Sequence, residues 1–247
     1  MKHVSWAMVV LCLAIIGCSR SSSGATDTNA ASKSETVVTA TETAAAPKPT
    51  EATPAEVATT KVAPPSATLP KAPDNYAVKL ETTKGDVILD VHRDWAPNGA
   101  DRFYELVNAG YFNDVAFFRV IDGFMAQVGL HGDPATNAQW RTAAIKDDPV
   151  LESNTRGMVS FATAGPNTRT TQFFINFADN SQLNGMGFAP FAKVRDMSVV
   201  DKLYKAYGEG APMGTGPSQA SIHQSGNAYL RENFPKLDYI KKATLLN

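Results

Sequence analysis

The sequence predicts a mainly β fold, a closed or nearly closed β-barrel with helices at its ends. Many short segments of the C-terminal 170 or so residues alternate apolar and polar residues and end at turn residues, as half-buried strands do. Only two segments have a helical apolar stripe, and they are isolated from each other. Because strands and helices do not alternate along the chain, a doubly wound parallel sheet is excluded.

The first predicted elements are two strands joined by a turn around residues 83–85, in the stretch NYAVKLETTKGDVILDVH. Alternate positions of this stretch are apolar, namely Val78, Leu80, Val87, Leu89 and Val91. One face of this hairpin is therefore expected to be buried.

A helix is predicted next, in APNGADRFYELVNAGYF, because Pro97 suits a first helical turn and Gly110 suits a C-terminal cap. Its apolar stripe is Ala100, Phe103, Leu106 and Val107.

A strand–loop–strand unit is predicted over 157–177 and a closing strand over 237–246. A second helix is predicted over 195–210, with a stripe of Val199, Val200, Leu203 and Tyr204.

The segment FFRVIDGFMAQVG, residues 117–129, predicts a hairpin whose register depends on its turn. A two-residue turn would place Arg119 and Gln127 on opposite faces of the sheet. A three-residue loop, Asp122-Gly123-Phe124, pairs Arg119 with Gln127 and collects Arg119, Met125 and Gln127 on one face. We expect the second register.

This hairpin and the segment SFATAGPNTRTTQFFI together resemble the two signature segments of the cyclophilin family of peptidyl-prolyl cis-trans isomerases. The flanking GYFNDVAFFRV and FAPFAKV also fit, so the resemblance covers about residues 76–205. It implies a closed eight-stranded antiparallel β-barrel capped by two helices, over a domain of residues 75–247. It also implies rotation of Xaa-Pro bonds, a reaction that requires no metal or other cofactor.

The resemblance assigns roles to individual residues. Arg119 matches the catalytic arginine, and Gln127 matches the glutamine that orients it. Substrate-binding positions are matched by Phe124, Met125, Ala162, Thr163, Ala164, Gln172, Phe174, Leu183 and Phe188. Thr163 stands where the family usually has asparagine, at a position that contacts substrate through its main chain.

Two further positions depart from the family pattern. Gln182 stands where many eukaryotic members have the tryptophan that supports cyclosporin binding, so drug sensitivity does not follow from the resemblance. The stretch NGMGFAP has an extra residue and no histidine, which puts Phe188 in the place of the pocket histidine.

The N-terminus predicts a lipid anchor. A lysine, an apolar run of signal-peptide length and the sequence IIGC resemble a bacterial lipoprotein signal, which implies cleavage after residue 17 and lipidation of Cys18. Cys12 would be removed, so the mature chain keeps one cysteine and forms no internal disulfide. An ordinary secretory signal that happens to contain a cysteine is the alternative.

Residues 18–74 are predicted to be a disordered Ala/Thr/Pro-rich tether. Between Ser19 and Asn75 there is no aromatic residue, and seven of the fifteen prolines lie here. Such a segment cannot bury enough apolar area to offset the entropy of ordering it. Ser19 lacks the aspartate that retains enteric lipoproteins at the inner membrane, so a periplasm-facing anchor in the outer membrane is favoured.

Composition and spacing exclude other chemistries. The net charge of −1 does not indicate a nucleic-acid partner. His92, His131 and His223 lack metal-ligand spacing, and GPNTRTT lacks the glycine spacing and Lys-Ser/Thr ending of a phosphate loop.

Three functions remain: a monomeric isomerase acting on proline-containing exported polypeptides, a holdase that grips such segments without turning them over, and a structural lipoprotein. Arg119 favours the isomerase, because binding alone does not require it.

Overall fold

The computed structural model describes residues 62–246, so the predicted signal peptide, Cys18 and most of the predicted tether lie outside the described residues. Residues 62–246 contain nine strands and three α-helices. The strands are β1 Asn75–Thr82, β2 Gly85–His92, β3 Val115–Ala116, β4 Arg119–Ile121, β5 Met125–Val128, β6 Met158–Phe161, β7 Phe173–Asn176, β8 Pro190–Val194 and β9 Tyr239–Leu246. The helices are α1 Pro97–Asn108, α2 Pro134–Trp140 and α3 Gln219–Asn233.

All strand pairs of the described residues are antiparallel and form one curled sheet, in the order β3-β9-β1-β2-β8-β6-β7-β5-β4. The predicted mainly β fold is confirmed, but the closed eight-stranded barrel is wrong: the described sheet is an open, nine-stranded half-barrel. Its edge strands β3 and β4 have only two and three residues. Strands this short offer few groups for a closing ladder, and the backbone of Val120 in β4 pairs instead with Gly208.

The first hairpin and α1 form as predicted. Thr82 pairs with Gly85 around a two-residue turn, and the alternate apolar residues of both strands are buried. α1 begins at Pro97, and Gly110 adopts φ +70° just after its end. Its apolar stripe packs inside the half-barrel, where the Phe103 ring lies 5.4 Å from Phe173 and 5.1 Å from Phe191.

The second helix, predicted over 195–210, is wrong. Only Val200–Lys202 form a short 3-10 helix. Val200 and Leu203 are buried as the stripe predicts, but the backbone of Leu203 leaves the helical region with ψ 141°. The chain then runs on to pair Gly208 with the outer edge of β4. Tertiary pairing therefore overrides the local helical pattern.

Two helices of the described residues were not predicted. α2 has an N-terminal cap in Asp133, whose carboxylate accepts from the backbone of the first turn. α3 is kinked at Gly226, where φ is +54°. Its buried apolar residues are only Ile222 and Leu230, so its stripe is too sparse to read from the sequence. None of the helices in residues 62–246 has the length and apolar character needed to cross a membrane.

Part of the predicted tether packs against the domain. Val62 is 8% exposed and belongs to the main core. The indole of Trp140 donates to the carbonyl of Ala63 at 3.2 Å, and the backbone of Ala72 donates to Asp101 at 2.8 Å. The packed unit therefore begins upstream of the predicted boundary at residue 75.

Gly129 connects β5 to the next loop, and a substitution at this residue tests how tightly the region is packed. It has φ +114°, and a Cβ placed there would lie 2.7 Å from Cα of Gln172. We expect Gly129→Ala to lower the free energy of unfolding by about 3 kcal/mol, since both the backbone conformation and the contact oppose the methyl group. The measurement is urea denaturation.

Gly123 provides the matched control, because it has φ +69° but nothing within 4 Å of an added Cβ. Gly123→Ala should cost about 1 kcal/mol, the strain of the left-handed conformation alone. Equal losses in the two variants would contradict the packing argument.

Candidate active site

The hairpin β4–β5 has the predicted register and forms the floor of the site. Arg119 pairs with Gln127 and Ile121 pairs with Met125, around the loop Asp122-Gly123-Phe124. The side chains of Met125 and Gln127 therefore share a face of the sheet with Arg119. The prediction of the three-residue loop is confirmed.

Six of the predicted site residues form a small apolar cluster that is separate from the main core. Met125, Phe174 and Leu183 are at most 5% exposed, and partly exposed residues pack on them. The members predicted from sequence are Phe124, Met125, Ala162, Phe174, Leu183 and Phe188. The ring of Phe188 meets that of Phe174 edge-on, with centroids 5.5 Å apart. An apolar surface that reaches solvent in this way can receive a small apolar ring.

A chain of polar side chains borders this cluster. Nη1 of Arg119 donates to Oε1 of Gln127 at 3.0 Å and lies 3.9 Å from Sδ of Met125. Nε2 of Gln127 in turn donates to Oε1 of Gln172 at 2.8 Å. Gln127 is only 7% exposed, so its amide orientation is determined by these two partners. The structure thus brings together the arginine and both glutamines predicted from sequence.

The loop between β6 and β7 carries Ala162, Thr163 and Ala164. The N–H of Ala162 donates to the carbonyl of Gln172 at 2.9 Å, which ties the start of the loop to its end. The hydroxyl of Thr163 is used inside the loop, where it contacts Thr168 and accepts from the N–H of Gly165. The hydroxyl of Thr163 thus braces this loop internally.

This loop is anchored by a buried ion pair that the sequence did not reveal. Arg169, 2% exposed, donates to Asp148 at 3.0 Å. Asp148 also accepts from the backbone N–H groups of Asn98 and Gly99 in the first turn of α1. One carboxylate therefore satisfies a helix N-terminus and an arginine of the site loop together.

Asparagines hold the other side of the cluster. Nδ2 of Asn180 donates to the carbonyl of Phe124 at 2.8 Å, which secures the hairpin tip. Nδ2 of Asn154 donates to the carbonyl of Phe188 at 2.8 Å. Both asparagines are buried. Neither was predicted, because isolated asparagines in loops carry no distinguishing sequence pattern.

Glu209 is a residue of the site that sequence reasoning missed. Its carboxylate accepts from Nε and Nη2 of Arg119, each at 2.6 Å. Burial, the largest influence, acts to raise the pKa of Glu209, but the hydrogen bonds and charge of Arg119 outweigh it and the pKa is lowered. The pair lies 90 residues apart in the chain, and Glu209 falls in the segment wrongly predicted as helix.

A polar cavity of about 220 Å³ adjoins the site. Gln172 is the predicted site residue that lines it, together with Arg141 and His223. Burial and the nearby charge of Arg141 lower the pKa of His223, so its imidazole is neutral near pH 7. Through Gln172 the cavity shares one residue with the polar chain that includes Arg119 and Gln127.

The arrangement offers a partly exposed apolar cluster with a guanidinium at its border, held by two hydrogen-bonding partners. Such a site can bind a peptide segment that presents a small apolar ring, and it can donate hydrogen bonds to nitrogen or oxygen beside that ring.

The comparisons with known proteins agree with one another. The family model "Cyclophilin type peptidyl-prolyl cis-trans isomerase/CLD" matches residues 77–223. Peptidyl-prolyl cis-trans isomerase B of Escherichia coli is 37% identical over 136 residues, which are 51% of this chain and 82% of that protein. A peptidyl-prolyl cis-trans isomerase of Acinetobacter baylyi is 38% identical over 137 residues, 52% of this chain and 72% of that protein.

A solved structure shares the fold. The crystal structure of a Cryptosporidium parvum cyclophilin type peptidyl-prolyl cis-trans isomerase aligns with a TM-score of 0.52 at 22% identity. The alignment covers 70% of this chain and 98% of that one.

Gln127 is the hydrogen-bonding centre of the site, and its replacement tests that role. Gln127→Leu keeps the volume but leaves Nη1 of Arg119 and Oε1 of Gln172 without their partner. We expect the free energy of unfolding to fall by about 1–3 kcal/mol. Urea denaturation measures the change.

Gln219→Ala is the control, since Gln219 is exposed and only reaches Gln172 at 3.3 Å. Its effect should stay within about 0.5 kcal/mol. A Gln127→Leu protein as stable as the wild type would mean that solvent satisfies the groups left behind.

Proposed function

The chain belongs to the cyclophilin family of peptidyl-prolyl cis-trans isomerases and is an enzyme of that type; we propose that it acts on exported or envelope proteins from a lipid anchor in the cell envelope. We place the active site at Arg119, because Gln127 holds its guanidinium at the border of the apolar cluster.

Arg119 acts on the transition state of the rotation. The peptide C–N bond has partial double-bond character, and its rotation barrier is about 18–20 kcal/mol. As the bond twists, the lone pair of the prolyl nitrogen leaves conjugation and becomes a better acceptor. A guanidinium that donates to this nitrogen stabilises the twisted state more than either planar isomer. Gln127 orients the donor, and no covalent intermediate is required.

The remaining site residues hold the substrate. The apolar cluster of Met125, Phe174 and Leu183 receives the prolyl ring. The backbone of Ala162–Ala164 binds the residues that flank the proline. Because both isomers of an Xaa-Pro bond lie close in energy, a site that fits the twisted form accelerates rotation in both directions.

The anchor follows from Cys18. Several acyl chains on one residue anchor a protein stably, whereas a single chain binds only marginally. The residues that follow Cys18 would let the domain act near the membrane surface, and Ser19 favours the outer membrane, facing the periplasm. The clients are proline-containing polypeptides that fold or refold there, and the enzyme works as a monomer.

Arg119→Ala tests the assignment of the active site. With residues 19–247, we expect the wild type to accelerate cis-to-trans conversion of a short Xaa-Pro-Phe peptide. The variant should lose at least about tenfold in kcat/KM, which corresponds to about 1.4 kcal/mol of transition-state stabilisation. Circular dichroism checks that it is folded. A folded Arg119→Ala protein with full activity would move the catalytic centre elsewhere.

Cys18→Ser tests the anchor. The full chain expressed in a bacterial host should incorporate labelled fatty acid and sediment with membranes. The variant should lose the label, because the acylated sulfur is removed. Cys12→Ser is the matched control and should retain the label. Labelling that persists in Cys18→Ser would refute lipidation at this residue.

A further inference from the structure

We propose that Glu209 is a positioning residue of the isomerase, which holds the guanidinium of Arg119 in the plane from which it donates to the twisting prolyl bond. This inference rests on the isomerase activity and on the role proposed for Arg119.

Glu209 and Gln127 hold the guanidinium from two sides. Glu209 accepts from Nε and Nη2 of Arg119, while Gln127 accepts from Nη1. A guanidinium is planar, so acceptors at two of its edges fix both its position and its tilt. These bonds use one hydrogen each on Nε, Nη1 and Nη2. A second hydrogen remains on each terminal nitrogen, and the one on Nη2 is available to a substrate.

The geometry distinguishes this pair from an ordinary surface ion pair. Most exposed pairs contribute little, because two long side chains must be ordered and solvent screens their charges. Here both N–O distances are 2.6 Å, and the side chain of Arg119 is only 24% exposed. Bidentate contact with a carboxylate fixes the orientation of such a partly buried guanidinium plane.

Backbone contacts within loop 205–217 hold Glu209 and its carboxylate in place. Gly216 N–H donates to the carbonyl of Glu209 at 2.8 Å, and Gly210 N–H donates to its Oε1 at 2.9 Å. A Cβ on Gly214 would lie 2.8 Å from the carbonyl carbon of Glu209. A Cβ on Gly216 would lie 2.8 Å from the carbonyl oxygen of Glu209. The turn around Glu209 is therefore tight enough to require glycine at both positions.

The same loop is attached to the hairpin at two points that follow Arg119 in the chain. Gly208 forms an antiparallel bridge with Val120, the neighbour of Arg119. Nζ of Lys205 donates to Asp122 at the hairpin tip, at 2.6 Å. Loop 205–217 and hairpin thus move together, and a carboxylate on such a support holds its partner within a narrow range of positions.

The experiment compares Glu209→Ala and Glu209→Gln with the wild type, as full chains purified in detergent, on an Xaa-Pro-Phe peptide. Removing the carboxylate allows the guanidinium of Arg119 to adopt several orientations and leaves the apolar cluster around Met125 and Phe174 intact. We therefore expect Glu209→Ala to lower kcat about fivefold with KM changed by less than about twofold. The kcat of Glu209→Gln, whose side chain keeps one acceptor oxygen, should lie between those of the wild type and Glu209→Ala.

Two controls separate positioning from a general effect of removing a paired carboxylate. Asp90→Ala removes the carboxylate of another bidentate pair, the one with Arg195, which does not contact Arg119, and it should leave kcat unchanged. In the Arg119→Ala background, Glu209→Ala should cause no further loss, because the residue acts through the arginine.

The outcomes are distinct. Unchanged or increased kcat in Glu209→Ala would overturn the proposal, the increase meaning that Glu209 restrains Arg119. An equal loss in Asp90→Ala, or an additional loss in the Arg119→Ala background, would also overturn it and indicate a structural role. A wild type without activity would instead overturn the isomerase function itself.

Discussion

The three-residue turn Asp122-Gly123-Phe124 determines which side chains face one another across β4 and β5, and the site depends on that register. With Arg119 opposite Gln127, the arginine and the residues that serve it share one face. A slip of one residue would send Met125 and Gln127 to the other face. The carbonyl of Phe124 is held by Asn180 and by the backbone of Phe177, which prevents such a slip.

The two faces of this part of the sheet have different tasks. In β5, Ala126 and Val128 belong to the main core, whereas Met125 belongs to the site cluster. In β7, Phe173 packs against α1 while Phe174 lies in the site. The interior of the half-barrel therefore makes the strands rigid, and the opposite face carries the apolar cluster that we propose binds substrate. Alternate residues of the same strands pack in the core and in the candidate site. The packing of the core therefore also holds the site residues in position.

Local patterns predicted what local physics decides. Alternation specified β1 and β2, and the Pro97 and Gly110 signals bounded α1. The turn signal located the β4–β5 hairpin, and its register was chosen because only the three-residue loop collects the polar residues on one face. The helix predicted over 195–210 failed because the edge of β4 offered Gly208 a backbone partner, a contact between residues 88 apart in sequence. Glu209 could not be predicted for the same reason, and the closed barrel failed because the edge strands are too short to complete the ladder.

The two ion pairs between the β4–β5 hairpin and loop 205–217 also balance the charges beside the apolar cluster. Arg119 is matched by Glu209, and Asp122 is matched by Lys205. An unmatched arginine would attract acidic chains over distances of about a Debye length and repel basic ones. With these charges balanced, the two pairs contribute little electrostatic steering of a charged chain toward Arg119. In the function proposed above, the site would therefore accept unfolded chains of either charge sign, and access to proline would set the range of clients.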